Sequence, residues 1–138
     1  MKKKHSNKSI ILALIATFGI ALATVAAAPL PPAATKTGVT YATDIKPILD
    51  QSCVKCHSGE KPKARLKLAT LEGVLKGSKD GKILTAGDSA NSFIVKSVAH
   101  VTDDHDAWMP PLHNKANIGP LTPEQIGLIR GWIDQGAK

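Results

Sequence analysis

The residues with the clearest chemistry in this chain are Cys53, Cys56 and His57, which form the pattern C-x-x-C-H. Thiols at this spacing can each form a thioether to a vinyl group of one haem, and the adjacent imidazole then reaches the iron from the same side. The pattern is the attachment signature of c-type haem. We therefore expect one covalent haem c, held by Cys53 and Cys56, with His57 as its proximal axial ligand.

Zinc and dithiol sites also use a C-x-x-C pair, so both alternatives need weighing. The chain of 138 residues has two cysteines, which excludes a four-cysteine zinc site within one chain, and the next histidine after His57 is His100. A dithiol redox site usually follows a strand, whereas the residues before Cys53 have the apolar spacing of a helix. Haem attachment is the favoured interpretation.

The N-terminus is typical of an exported protein. Export agrees with haem attachment, because c-type haem is attached outside the cytoplasm. Residues 2–8 are lysine-rich, residues 10–25 are apolar, and residues 26–28 are alanines. This order predicts a signal peptide over residues 1–27, removed after position 26 or 27, and a periplasmic or otherwise exported protein. The competing prediction is an uncleaved membrane anchor, because the apolar run is long enough to span a bilayer.

The positive charge of the chain is concentrated in the predicted signal. The net charge is +7, but four of the 18 basic residues lie within residues 2–8, so the remainder carries 14 basic against 11 acidic residues. No basic patch is interleaved with aromatic residues, so we expect no nucleic-acid partner. The basic cluster that follows the cysteines could face an acidic redox partner or form a solvated loop. Its members are Lys55, Lys61, Lys63, Arg65 and Lys67.

The rest of the chain divides into a tether and one domain. Residues 28–38 are rich in proline and alanine without periodicity, which predicts an extended, mobile tether. Residues 39–138 form the predicted domain, in which helical spacing recurs and strand alternation does not. We predict a first helix from Asp44 to about Cys56, with Pro47 in its first turn.

Capping residues predict three further helices. Thr70 begins a short helix that stops at Gly77, and Asp88 or Ser89 caps a helix that runs to position 98. Residues 122–125 combine an N-cap, a proline and the spacing of a capping box, and they begin a last amphipathic helix. That helix carries Trp132 on its apolar face, where we expect it in the core, and it stops at Gly136.

A helix ending in C-x-x-C-H, two short helices, a loop and a final helix form an order that resembles the single-haem class I cytochromes c. The closer resemblance is to the planctomycete-type cytochrome c domain, and it spans roughly residues 40–137. It implies an all-α, small cytochrome c fold whose N- and C-terminal helices cross and pack around one covalently bound haem. The segments that carry it are 44–49, 53–58, 61–64, 66–73, 75–77, 87–88, 109–111 and 121–137.

The sixth position of the iron decides whether such a site carries electrons or reacts with small molecules. Met109 is the leading candidate, because it precedes two prolines that restrict the backbone in the loop before the last helix. The family resemblance also implies an axial methionine in this Met-Pro-Pro segment. His100, His105 and His113 remain rival ligands, since imidazole binds haem iron well and spacing excludes none of them.

We therefore expect a single-haem electron carrier that acts by outer-sphere transfer and is not an enzyme. Its partners would be the haem and unidentified redox proteins, with membrane contact only if the N-terminal segment is retained. One alternative is a haem enzyme or gas-binding sensor with a vacant or labile sixth position. A second alternative is a dithiol or structural domain without haem.

Overall fold

The structure, a computed structural model, describes residues 29–138, so the predicted signal peptide lies outside the described residues. Within this range the secondary structure is helical, with isolated bridges and no extended strand, which confirms the all-α class. None of the helices in residues 29–138 has the length and apolarity needed to cross a membrane. The α-helices are α1 (Lys46–Ser52), α2 (Leu71–Lys76), α3 (Phe93–Val98) and α4 (Pro123–Asp134).

Helix α1 continues from a π-helical turn over Tyr41–Ile45, where the Thr40 side chain caps the first turn by accepting from the Thr43 N–H. Pro47 lies in the first turn of α1, as predicted. The predicted extension to Cys56 is wrong, because α1 ends at Ser52 and the cysteines lie in the following turn. Cys53 leaves helical geometry, with φ −128° and ψ −41°.

Helix α2 begins and ends where its sequence predicts. The Thr70 side chain accepts a hydrogen bond from the Gly73 N–H, and Gly77 terminates the helix with φ +90°. An added Cβ at Gly77 would lie 2.4 Å from the Gly81 carbonyl oxygen, so both the backbone angle and the close approach require glycine.

Helix α3 starts later than predicted. Ser92 is its N-cap residue and makes no side-chain capping bond, so the prediction of a cap at Asp88 or Ser89 is wrong. The Asp88 carboxylate instead accepts from the backbone and side-chain N–H groups of Asn91. Ser89 donates through both its backbone N–H and its hydroxyl to Asp134 at the end of α4.

Helix α4 carries the predicted capping box, in which Thr122 and Gln125 satisfy each other's backbone N–H groups. Trp132 is 1% exposed, which confirms it as a core residue. Its ring lies 6.0 Å from that of Tyr41, so the two ends of the domain pack against each other. The chain then leaves the helix at Gly136, which has φ +101°.

The proline- and alanine-rich segment, predicted as an extended, mobile tether, has no helix or strand over residues 29–38 and lies along α4. The Ala34 N–H donates to the Gly127 carbonyl at 2.8 Å, and the Gln135 side-chain amide donates to the Lys36 carbonyl at 2.8 Å. The Arg130 guanidinium donates to the Pro31 carbonyl. These bonds tie the segment to one face of the last helix.

Two glycines on that face let the segment approach closely. A Cβ added at Gly127 would lie 2.8 Å from the Pro32 carbonyl oxygen, and one at Gly131 would lie 3.0 Å from the Ala34 carbonyl oxygen. Their spacing of four residues places both on one side of the helix. The glycines thus form a notch that receives the backbone of residues 32–34.

We predict that Gly127→Ala lowers the free energy of unfolding by about 1 kcal/mol, because overpacking against the Pro32 backbone outweighs the gain in helix propensity. Denaturant unfolding measures this change. Gly119→Ala is the matched control, since an added Cβ there has no atom within 4 Å, and it should change stability by less than about 0.5 kcal/mol. Equal stability of the two variants would contradict packing of the segment on α4.

Candidate haem site

One cavity brings together three of the predicted site residues, Cys53, His57 and Met109. Its volume is about 530 Å³, within the range of pockets that hold small molecules and cofactors. The remaining lining is largely apolar and comes from the loop after the cysteines, the segment before α3, α3 itself and residues 104–107. The apolar members are Ala64, Leu66, Leu68, Ile83, Phe93, Ile94, Val98 and Ala107.

The ring of His57 is buried, and a hydrogen bond to a backbone carbonyl fixes its orientation. Its Nδ1 lies 3.1 Å from the Lys63 carbonyl oxygen. Since a carbonyl only accepts, Nδ1 carries the hydrogen and Nε2 keeps the lone pair that a metal requires. Burial lowers the pKa of His57, which further favours the neutral, ligating form of the ring.

The loop that supplies this carbonyl folds back on the C-x-x-C-H turn through a set of hydrogen bonds. The Lys63 N–H donates to the Cys56 carbonyl at 3.1 Å, and the Leu68 N–H donates to the His57 carbonyl at 2.8 Å. The buried Tyr41 hydroxyl donates to the Leu68 carbonyl at 3.1 Å, which links the loop to the turn before α1. The loop and the first helix therefore fix the position of His57 together.

This loop also contains unfavourable backbone geometry. Ala64 and Arg65 both have φ of 53°, in the left-handed region that non-glycine residues rarely adopt. The Ala64 carbonyl accepts from the Lys79 N–H at 2.8 Å, so the strained turn is held from outside as well. Strained residues of this kind cluster at functional sites, where the surrounding structure enforces them.

The two cysteines form no disulfide and differ in environment. Cys53 is buried and lines the cavity, whereas Cys56 is half-buried and is not among the lining residues. Burial, with a smaller effect of Cys56, raises the pKa of the Cys53 thiol to about 11. Reactive dithiols need a lowered thiol pKa, so this environment disfavours the dithiol alternative. Within residues 29–138, no cluster of three or more His, Cys, Asp and Glu side chains could hold a metal ion such as zinc.

Met109 reaches the cavity from the side of α3. Its N–H donates to the Ser97 carbonyl at 3.0 Å, and the Ser97 hydroxyl donates to the Ala107 carbonyl at 2.7 Å. Pro110 follows Met109 and is itself buried. The end of α3 thus holds the loop that presents the methionine.

The three histidines named as rival ligands lie elsewhere. The ring of His100 stacks on Trp108 with its Nε2 near the Met109 carbonyl, and the ring of His105 also contacts Trp108. His113 lines a separate surface groove formed by residues 112–119. Of the four candidates for the sixth position, Met109 is the one that lines the cavity with His57.

The residues around the cavity fit a haem by their chemistry. A neutral imidazole and a thioether are both axial ligands that haem iron accepts, and Cys53 supplies a thiol at the cavity wall. Phe93 lines the cavity although it is 50% exposed, so a large apolar group in the cavity would cover its ring. Polar side chains also occur among the lining residues, and of these Lys82 has the charge that would attract the anionic propionates of a haem. The polar lining residues are Ser78, Asp80, Lys82, Ser97, Asp104 and Asp106.

Sequence reasoning missed the Lys63 carbonyl as the partner of His57. A backbone acceptor is present at every residue, so no side-chain pattern could identify it. The strained 3₁₀ turn over Lys63–Arg65 was not predicted either. A weak signal existed in Pro62, which favours a turn at this point of the loop.

Residues 53–113 match the family described as planctomycete cytochrome C. The matched region begins at Cys53 and contains both His57 and Met109. The match is consistent with a c-type cytochrome domain and confirms the resemblance inferred from the sequence. The chain matches no curated protein and no solved structure.

We predict that Tyr41→Phe lowers the free energy of unfolding by about 1–2 kcal/mol, because the buried Leu68 carbonyl loses its hydrogen-bond donor. Denaturant unfolding of the two proteins measures the difference. Thr37→Val, which removes an exposed hydroxyl, is the control and should change stability by less than about 0.5 kcal/mol. A Tyr41→Phe variant as stable as this control would show that the hydroxyl does not anchor the loop.

Proposed function

We propose that this chain is an exported carrier of single electrons, in which one haem c is attached to Cys53 and Cys56 and the iron is bound by His57 and Met109. The observation that carries the proposal is one apolar cavity that three of these residues line, in the region matching a cytochrome family. When bound, the haem supplies an iron that accepts and releases one electron.

The protein's own part in this function is to fix two ligands on opposite elements. The Lys63 carbonyl orients His57 from the loop after α1, and Ser97 holds the backbone of Met109 from α3. Two protein ligands leave no iron position for a substrate, which favours electron transfer over reaction at the metal. Methionine with histidine also gives a higher reduction potential than two histidines.

The apolar lining contributes to the same function. Leu66, Leu68, Ile94 and Val98 line the cavity together with the two proposed ligands and give it apolar walls. A surrounding of low dielectric disfavours the oxidation state with the higher net charge, which raises the reduction potential. Covalent attachment through two thioethers prevents loss of the haem when its charge changes.

The proposed export rests on the N-terminal pattern of the sequence. A basic start, an apolar run and a series of alanines direct a chain across a membrane. Removal of residues 1–27 would release the carrier into the periplasm, and retention would anchor it at the membrane surface.

Carbon monoxide tests the proposed ligands, because it binds ferrous haem only where a coordination position is free. We predict that the native ferrous protein does not react, whereas ferrous Met109→Ala binds carbon monoxide rapidly. In its ferric form Met109→Ala should lose the long-wavelength sulfur-to-iron absorption band, and its reduction potential should be lower. His113→Ala, in the separate groove, is the control and should behave as native. Rapid binding to native protein would favour the enzyme or sensor alternative, and an unchanged Met109→Ala spectrum would move the ligand to a histidine.

A basic groove lies beside the cavity and is our candidate docking surface for an acidic redox partner. It is lined by five exposed basic residues, and Ser78 lines both the groove and the haem cavity. Lys79 is paired with Asp80 at 2.8 Å, so the other four basic residues supply most of the positive charge, against Glu60. The basic residues of the groove are Lys61, Arg65, Lys67, Lys76 and Lys79.

We predict that reversing two charges of the basic groove, Lys61→Glu with Lys67→Glu, slows oxidation of the ferrous protein by anionic hexacyanoferrate about tenfold at low salt. Stopped-flow absorption measures the rate, and added salt should reduce the difference. Lys115→Glu with Lys138→Glu changes the net charge equally at exposed sites outside the groove. If both double variants slow the reaction equally, the net charge and not the groove determines the rate.

A further inference from the structure

His100 occupies a backbone conformation that usually selects glycine. It follows Ala99, the C-cap residue of α3, and has φ +56°. Left-handed geometry at this position commonly ends a helix, but a side chain with a Cβ is strained there. The fold keeps an imidazole at a point where glycine would be favoured, so its contacts must compensate for the strain.

Two contacts of the His100 ring provide that compensation. The ring stacks on Trp108 with the centroids 5.0 Å apart and the planes within 5° of parallel. Its Nε2 lies 3.3 Å from the carbonyl oxygen of Met109. Because that carbonyl can only accept, the imidazole donates the hydrogen. His100, in a strained backbone conformation, thus donates a hydrogen bond to the backbone of Met109, the proposed ligand.

Trp108 is itself fixed in place. Its indole N–H donates to the Thr102 carbonyl at 3.1 Å, and its backbone N–H donates to the His105 carbonyl at 3.1 Å. The ring of His105 contacts it with a centroid distance of 4.1 Å. The indole therefore offers a fixed surface against which the imidazole of His100 is held.

Met109 is consequently held at the end of α3 through both its backbone N–H and its backbone carbonyl. Its N–H donates to the carbonyl of Ser97, and its carbonyl accepts from His100, three residues further along. Movement of this segment away from the iron would break at least one of these bonds. Each bond therefore opposes dissociation of the ligand by movement of its backbone.

We infer that His100 is a positioning residue that holds Met109 in the coordinating arrangement, rather than a rival ligand. The inference rests on the proposed function, in which Met109 binds the iron. The stacking of His100 on Trp108 orients the imidazole for one hydrogen bond to the Met109 carbonyl. Removal of the His100 side chain should therefore increase the rate of methionine dissociation and have little effect on the stability of the fold.

The test is the rate at which added imidazole replaces the sixth ligand of the ferric holoprotein, followed by absorption. His100→Gly should increase this rate about tenfold, as expected for loss of one hydrogen bond. Glycine adopts φ +56° without strain, so the thermal unfolding midpoint should not fall. His100→Asn, which also tolerates this conformation but has a shorter side chain, should show the same acceleration and serves if the glycine variant folds poorly.

Two further variants separate the hydrogen bond from general packing. His100→Gln retains a donor of similar reach and should keep the rate within about threefold of native. His105→Ala removes the other imidazole that contacts Trp108, without a bond to Met109, and should raise the rate far less than His100→Gly does. Acceleration by His105→Ala equal to that of His100→Gly would overturn the inference, and so would an unchanged rate in His100→Gly.

Failure of the inference is distinguishable from failure of the proposed function. If Met109→Ala leaves the ferric spectrum unchanged, Met109 is not a ligand and the proposed ligand pair is wrong. If Met109→Ala loses the sulfur-to-iron band while His100→Gly exchanges its ligand at the native rate, the proposed function stands and the role of His100 is refuted.

Discussion

The hydrogen bond from His57 Nδ1 to the Lys63 carbonyl joins the imidazole to the loop that follows the cysteines. It leaves Nε2 as the nitrogen with a free lone pair, and it requires the loop after the cysteines to return to within 3.1 Å of the ring. That return passes through two residues with φ of 53° and is held by Tyr41 at the start of the domain. The first helix, the loop and the imidazole therefore form one unit.

Packing between the two ends of the chain supports this unit. Tyr41 and Trp132 bring the first and last helices together, and residues 32–34 cover the glycine notch on α4. Phe93 lines the cavity and remains half exposed, whereas Leu66 lines the cavity and also packs against the core. An apolar macrocycle in the cavity would add buried apolar area, so a bound haem would be part of the core as well as a redox group.

Local chemistry explains which elements could be predicted from the sequence. Thr70 and Thr122 cap helices through bonds to residues three positions away, and Gly77 is required by its own backbone angle, so these boundaries were predicted correctly. The start of α3 was predicted wrongly, because the Ser89 hydroxyl does not cap the helix but donates a hydrogen bond to Asp134, far along the chain. The packing of residues 32–34 and the Lys63 carbonyl were missed for the same reason, since neither has a local side-chain signature. Cys53, His57 and Met109 are candidates from the sequence because haem binding requires particular side chains, and the structure places all three on one cavity.

The two proposed axial ligands are held in different ways, and this difference bears on function. His57 is fixed by a carbonyl six residues away, inside a loop that backbone bonds close on both sides. Met109 is fixed by two groups at the end of α3, a separate element across the cavity. Opening of the site should therefore begin with the methionine, whose loop can move without disturbing the cysteines. The strained backbone of His100 marks the point at which the fold opposes that opening.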